Sequence, residues 1–359
     1  MRRFWRAVTM FTLKFKVSKI KVAARVVVLA SIVIAVLLLV PRGSSKPSLR
    51  FELIQLQNQS GLRLVAVRGN KLFTISYASR TPDQSKPFIA NGKAGAGTVS
   101  PDGTRIAIGL CTDPVITDPP SDPSACRSAR FATMRPDGTD LKEYRDLASM
   151  GFMFCWSHDM SKVVGIIRDR NQGQYARYSL QIVYLASGTT EIIEGGPSVF
   201  VDSQCWSPDD KRLVYTRDQE SGVRTVRMYD TEMKKSRDVA NGGHPTWSPD
   251  GRWIAFLYCP PSLRDCKYYG IETSTNKQKF FFAKDGQTGL SWSPDSRFVA
   301  YVDPASLVER TPPEQLREML RLRVRRLDDG AEDSFTDFYD GNIMWFVWVA
   351  SPAKSSAPN

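Results

Sequence analysis

Hydrophobic and polar residues alternate in short runs along most of the chain, the period-two pattern of strands with one buried face. Arg105-Ile106-Ala107-Ile108, Arg212-Leu213-Val214-Tyr215, Arg252-Trp253-Ile254-Ala255-Phe256 and Arg297-Phe298-Val299-Ala300-Tyr301 all read this way. Each run follows a copy of one motif. Trp247-Ser248-Pro249-Asp250-Gly251 recurs as Trp206-Ser207-Pro208-Asp209-Asp210, Trp292-Ser293-Pro294-Asp295-Ser296, Trp156-Ser157-His158-Asp159-Met160 and Val99-Ser100-Pro101-Asp102-Gly103. Ser, Pro, Asp and Gly in that order are the preferences of a type I β-turn, in which Pro presets φ and the Ser oxygen bonds the turn backbone. The motif therefore joins two antiparallel strands, and the Trp before it is placed to pack between neighbouring sheets.

The motif serines stand 57, 50, 41 and 45 residues apart, the size of a four-stranded propeller blade with variable loops. Two further strand-like runs follow each pair, at residues 129–134 and 140–147, 179–185 and 190–193, and 224–229 and 236–239. Before the first motif, residues 62–67, 72–78 and 86–90 make three strands without a motif-bearing partner. The aromatic run 343–349, ending in Ser351-Pro352, supplies it and removes an unpaired sheet edge. The prediction is an all-β fold over residues 53–351, a six-bladed β-propeller whose C-terminal strand closes the N-terminal blade, with 352–359 as a disordered tail. The glycine-rich stretch 92–97 reads as a connection between blades, since it lacks the order and the helix of a phosphate loop.

Charge changes the picture at the N-terminus. Eight of the net +12 charges fall in the first 25 residues, leaving +4 for the rest, too few to support a nucleic-acid partner. Residues 26–40 are apolar except for Ser31, and from Val22 the stretch reaches 19 residues, close to the roughly 20 that cross a bilayer. One transmembrane helix is thus expected to precede the propeller: residues 1–22 as a basic cytoplasmic segment, 23–41 as a signal anchor and 42–52 as a linker. The basic flank keeps the N-terminus inside and exports the propeller to the periplasm or extracellular space. A cleavable signal peptide is the rival reading, because Gly43 and Ser45 are small residues at −3/−1 spacing.

The repeated Trp-Ser-Pro-Asp-Gly followed by Arg-x-Ile-Ala-Phe, with a later x-Pro-Asp-Gly-Thr at residues 135–139, resembles the WD-repeat-like blades of TolB-type exported bacterial propellers over residues 53–351. The resemblance implies the propeller fold and admits partner-binding scaffolds, peptidase accessory domains and ligand binders. TolB-type proteins carry an α/β domain before the propeller. Here only about a dozen residues separate the apolar segment from the first blade, so the Tol-specific role does not transfer and no family active site has matching positions.

Cys111 and Cys259 each lie eleven residues after a motif serine, and Cys126 and Cys266 precede the next strand. Two disulfides across equivalent loops, Cys111 with Cys126 and Cys259 with Cys266, are expected in an exported domain. Cys155 and Cys205 directly precede the motif Trp of consecutive repeats and are expected as buried, unbridged residues. With two histidines, no metal or other cofactor is expected; His158 fills the Pro position of a turn, whereas His244 and Asp202 occupy related places in neighbouring repeats and form a candidate binding pair at the channel mouth. Arg321, Arg323 and Arg325 share a strand face, read either as solvated surface or as a docking patch for an anionic partner or the membrane surface. No Gly-x-Ser-x-Gly elbow occurs. The functional expectation is a membrane-anchored interaction scaffold without catalytic activity and with a protein partner at the cell envelope. The alternative is an enzyme or a small-ligand or glycan binder using the channel mouth.

Overall fold

A computed structural model describes residues 47–349, apart from 61, 69–70, 76, 78–81, 88–93, 115–125, 169–177, 196–198, 203, 220–221, 261–264, 284–289, 306–318 and 339–344. The expected cytoplasmic segment, membrane anchor and C-terminal tail lie outside the described residues, as does the start of the insertion after the last motif. Among the described residues no helix is long and apolar enough to cross a membrane.

The expected linker gives way at its end to helix α1 (Leu49–Ser60). Leu49, Glu52 and Leu53 fall on one face by the i, i+3, i+4 rule, and these three are its buried residues. Leu49 and Leu53 pack with Leu62, Leu64, Tyr77, Phe298 and Trp348, and Glu52 accepts hydrogen bonds from Arg297 and Arg326. The helix thus lies against both the first and the last parts of the ring.

Among the described residues the strands form five sheets. The first orders β23 (Trp345–Val349), β1 (Arg63–Arg68), β2 (Lys71–Ile75) and β3 (Pro82–Pro87). The second has seven strands: β4 (Ala94–Val99), β5 (Ile106–Pro114), β6 (Cys126–Met134), β7 (Lys142–Trp156), β8 (Lys162–Arg168), β9 (Tyr178–Tyr184) and β10 (Thr190–Gly195). The third runs β11 (Val199–Phe200), β12 (Arg212–Asp218), β13 (Arg224–Asp230) and β14 (Lys235–Asn241). The fourth is β15 (Gly243–Trp247), β16 (Trp253–Tyr258), β17 (Lys267–Glu272) and β18 (Gln278–Ala283), and the fifth is β19 (Ser291–Trp292), β20 (Phe298–Ala305), β21 (Met319–Arg326) and β22 (Glu332–Phe338).

The count is five sheets, not the six that the repeats predict. The difference lies in β7, a 15-residue strand. Its start pairs with β6 (Thr133↔Lys142) and its end with β8 (Trp156↔Val163), so the outer strand of one repeat continues into the inner strand of the next. The next two passages between repeats carry paired breakers, Gly195-Gly196-Pro197 and Gly242-Gly243; between Leu147 and Phe154 there is only Gly151. The glycine-rich stretch is also corrected in part, because from Ala94 it is inner strand β4. Gly97 lets that strand approach closely: a Cβ there would sit 2.6 Å from the Ala107 carbonyl oxygen.

Closure follows the expectation. Strand β23 pairs antiparallel with β1 from Arg63↔Val349 to Val67↔Trp345, and inner strands of neighbouring repeats touch at β23 and β4, β4 and β7, β15 and β19, and β19 and β23. Buried apolar clusters fill the spaces between facing sheets, with Trp206, Trp247, Trp292 and Trp348 in four of them and Trp156 in a fifth, enclosed by the seven-stranded sheet itself.

Candidate functional site: the channel mouth at Asp202 and His244

The motif turns set the frame. In all five, the serine hydroxyl donates to the aspartate two residues on (Ser100–Asp102, Ser157–Asp159, Ser207–Asp209, Ser248–Asp250, Ser293–Asp295). The same oxygen accepts the backbone N–H five residues on, from Arg105, Lys162, Arg212, Trp253 and Phe298. Partial burial would raise the carboxyls of Asp102, Asp159 and Asp209, but the hydroxyl and amide donors outweigh it and hold all three below the usual carboxylate range. Where His158 replaces Pro, the turn gains a backbone N–H, and Asp210 of the next motif accepts it along with the N–H of Asp159 and a contact from His158 Nδ1 at 2.9 Å.

At the other end of the inner strands the chain crosses from the third sheet to the fourth through Gly242 and Gly243. Gly242 has φ +143°, and a Cβ on it would lie 2.7 Å from the Leu257 carbonyl oxygen and the Phe256 ring. The crossing leaves His244 at φ 54°, a left-handed conformation that histidine tolerates better than most residues. Its amide N–H donates to Thr216 Oγ1 at 2.9 Å, and its Nδ1 lies 3.3 Å from Asp202 Oδ1. Asp202 is 3% exposed. Its Oδ2 is buried with no hydrogen-bond partner among the described residues. Phe200 stands beside His244 with ring centroids 5.7 Å apart, and the Arg224 guanidinium lies 5.6 Å over the Phe200 ring while its Nε meets Asp218 at 3.1 Å.

Behind this pair, Gln204 ties three sheets together. Its carbonyl oxygen accepts the Trp247 N–H, and its side-chain amide makes two bonds with the backbone of Trp292, donating to the carbonyl and accepting the N–H. Gln204 therefore reaches from the third sheet past the fourth to the fifth.

No protein-family model and no curated protein sequence matches the chain. Solved structures do. TolB from Acinetobacter baumannii superposes with a TM-score of 0.56 at 14% identity, covering 82% of this chain and 70% of its own. A putative TolB from Agrobacterium tumefaciens gives 0.52 at 15% identity, covering 81% and 98%. An oligogalacturonate lyase from Vibrio parahaemolyticus gives 0.50 at 12%, covering 76% and 79%. The chain folds as a TolB-like β-propeller. At these identities the likeness concerns the fold alone.

Within the TolB-like ring the cysteine expectations divide. Cys259 and Cys266 are bridged as predicted, Cα atoms 4.3 Å apart, stapling the loop between β16 and β17. Cys111 and Cys126 sit on paired strands β5 and β6, but their side chains lie outside what is described. Cys155 and Cys205, expected unbridged, form a disulfide with Cα atoms 6.0 Å apart, well inside the usual range. The expectation underestimated how closely inner strands converge near the axis. In three places the residue just before the motif position of one repeat meets the indole of the next: Trp156 Nε1 donates to the Thr98 carbonyl, Trp292 Nε1 to Thr246 Oγ1 and Trp348 Nε1 to the Ser291 carbonyl. Where cysteines take that place they bond each other instead, and the indole N–H groups of Trp206 and Trp247 are buried without a partner among the described residues.

The arginines on β21 do not stand clear of the ring. Arg323 and Arg325 both reach Glu332, at 2.9 and 3.1 Å, and Arg325 also covers the Phe282 ring, while Arg321 is half-buried. Asp202 and His244, chosen from their related positions, are brought together. Gln204, Phe200 and Arg224 were not singled out from sequence, since nothing in a Gln or a Phe beside a motif marks it as crossing the ring.

Proposed function

We propose that this TolB-like propeller is an interaction scaffold without catalytic activity, held by residues 23–41 at the outer face of the cytoplasmic membrane and presenting its loops to a protein partner. The observation that carries the reading is the ring itself: sheets locked by motif turns, with exposed apolar side chains at Ile192, Val223, Met233, Tyr258 and Phe280 on its strands and turns. Affinity capture of the full-length chain from its native membrane, followed by mass spectrometry, tests it. A stoichiometric protein partner is expected, whereas turnover of a glycan, peptide or lactone by the purified chain would overturn it.

The second reading is a binding site at the Asp202–His244 mouth. It is favoured by the 3.3 Å contact between two residues 42 apart in sequence and by the unpartnered oxygen of a buried carboxylate.

A further inference from the structure

We infer that the Asp202–His244 mouth binds a cationic nitrogen, an alkylammonium or guanidinium group. The inference rests on the second reading above and names the ligand class of that site. A carboxylate only accepts hydrogen bonds, so the His244 nitrogen facing Asp202 carries the hydrogen, and in the neutral ring Nε2 is left with its lone pair. Nε2 has no partner among the described residues, and the imidazole keeps 19% of its surface exposed. Asp202 Oδ2 is a second acceptor, buried and without a donor among the described residues. Phe200 offers the electron-rich face of an aromatic ring, and the Arg224 guanidinium already lies over that ring.

Among the described residues, the uncommitted polar atoms of this pair, His244 Nε2 in the neutral ring and Asp202 Oδ2, are thus both acceptors. Charge points the same way. Among the described residues Arg224 is matched by Asp218, and the one basic group that meets Asp202 is the His244 imidazole. Gln204, two residues from Asp202, is neutral and its amide is already bonded to Trp292. A cationic ligand nitrogen donating to Nε2 would make a charge-assisted hydrogen bond, with the carboxylate on the other side of the imidazole to balance its charge.

The chain has two histidines, and His158, held on the motif-turn side by Asp210, is an internal control. The experiment is imidazole nitrogen NMR of the full-length chain in detergent micelles, titrated with Nα-acetyl-lysine amide, Nα-acetyl-arginine amide, putrescine and Nα-acetyl-glutamate amide. A saturable shift of the His244 signal with the cations, and none of His158, is expected. Putrescine separates a free amine from a peptide side chain as the source. Asp202→Asn, if folded, should bind about tenfold or more weakly. His244→Gln, followed by calorimetry, gives a second variant should that one unfold, with a loss of similar size expected. A His244 shift with the glutamate probe alone would reject the cation and keep the binding face. Silence of His244 toward all four probes in the wild-type chain would reject both.

Discussion

Replacing Ser248 by Ala isolates what one motif turn contributes. Ser248 is fully buried; its hydroxyl donates to Asp250 at 2.6 Å and accepts the Trp253 N–H at 2.9 Å. Asp250 is exposed and still accepts the Arg252 N–H, so water replaces its lost donor at little cost. The Trp253 amide loses its acceptor at the part-buried start of β16, which costs about 2 kcal/mol. At about 2 cal/mol/K per residue over a ring of roughly 300 residues, that loss lowers Tm by about 3 °C. Asp250→Asn is the control, because an amide oxygen accepts the same bonds; its shift should be less than half as large. Thermal unfolding followed by tryptophan fluorescence reads both. A Ser248→Ala midpoint within 0.5 °C of wild type, or a larger loss from Asp250→Asn, would refute the assignment of the turn's stability to the serine oxygen.

The two disulfides should differ in weight. By the chain-entropy relation, the Cys155–Cys205 bridge, closing 50 residues, contributes about 4 kcal/mol, and the Cys259–Cys266 bridge, closing 7, about 2.5; paired Cys→Ser variants in denaturant titrations should rank that way, and equal losses would contradict the entropic account. The motif aspartates give a pH dependence. Because Asp102, Asp159 and Asp209 are held below their unfolded values, their contribution is full above about pH 4 and is lost as pH falls through the folded values. Tm should therefore fall steeply below about pH 4, and Asp209→Asn should flatten that fall; an unchanged slope would count against the linkage.

Most of the ring was legible because each level of the sequence agrees with the next. The turn residues, the alternating strands and the repeat spacing specify one sheet geometry, and the leftover strand at 345–349 fits the one open edge. What misled was local. The merging of two repeats depends on a missing breaker beside Gly151, an absence easily overlooked among motifs that are present. Helix α1 hides in a stretch whose helical pattern is only one face of three residues, and it forms because Leu53 and Glu52 find partners far along the chain. At the mouth, related positions in two repeats located Asp202 and His244, whereas the reach of Gln204 depends on curvature that sequence does not carry.

The most direct test of the closed ring is a cysteine pair placed across its seam. Val65 and Val347 face each other on β1 and β23, whereas Val65 and Trp345 are two residues out of register. In the full-length chain, Val65→Cys with Val347→Cys should cross-link under mild oxidation, seen by peptide mass spectrometry, and Val65→Cys with Trp345→Cys should not. Efficient linkage of the second pair, or of neither, would contradict closure by the C-terminal strand.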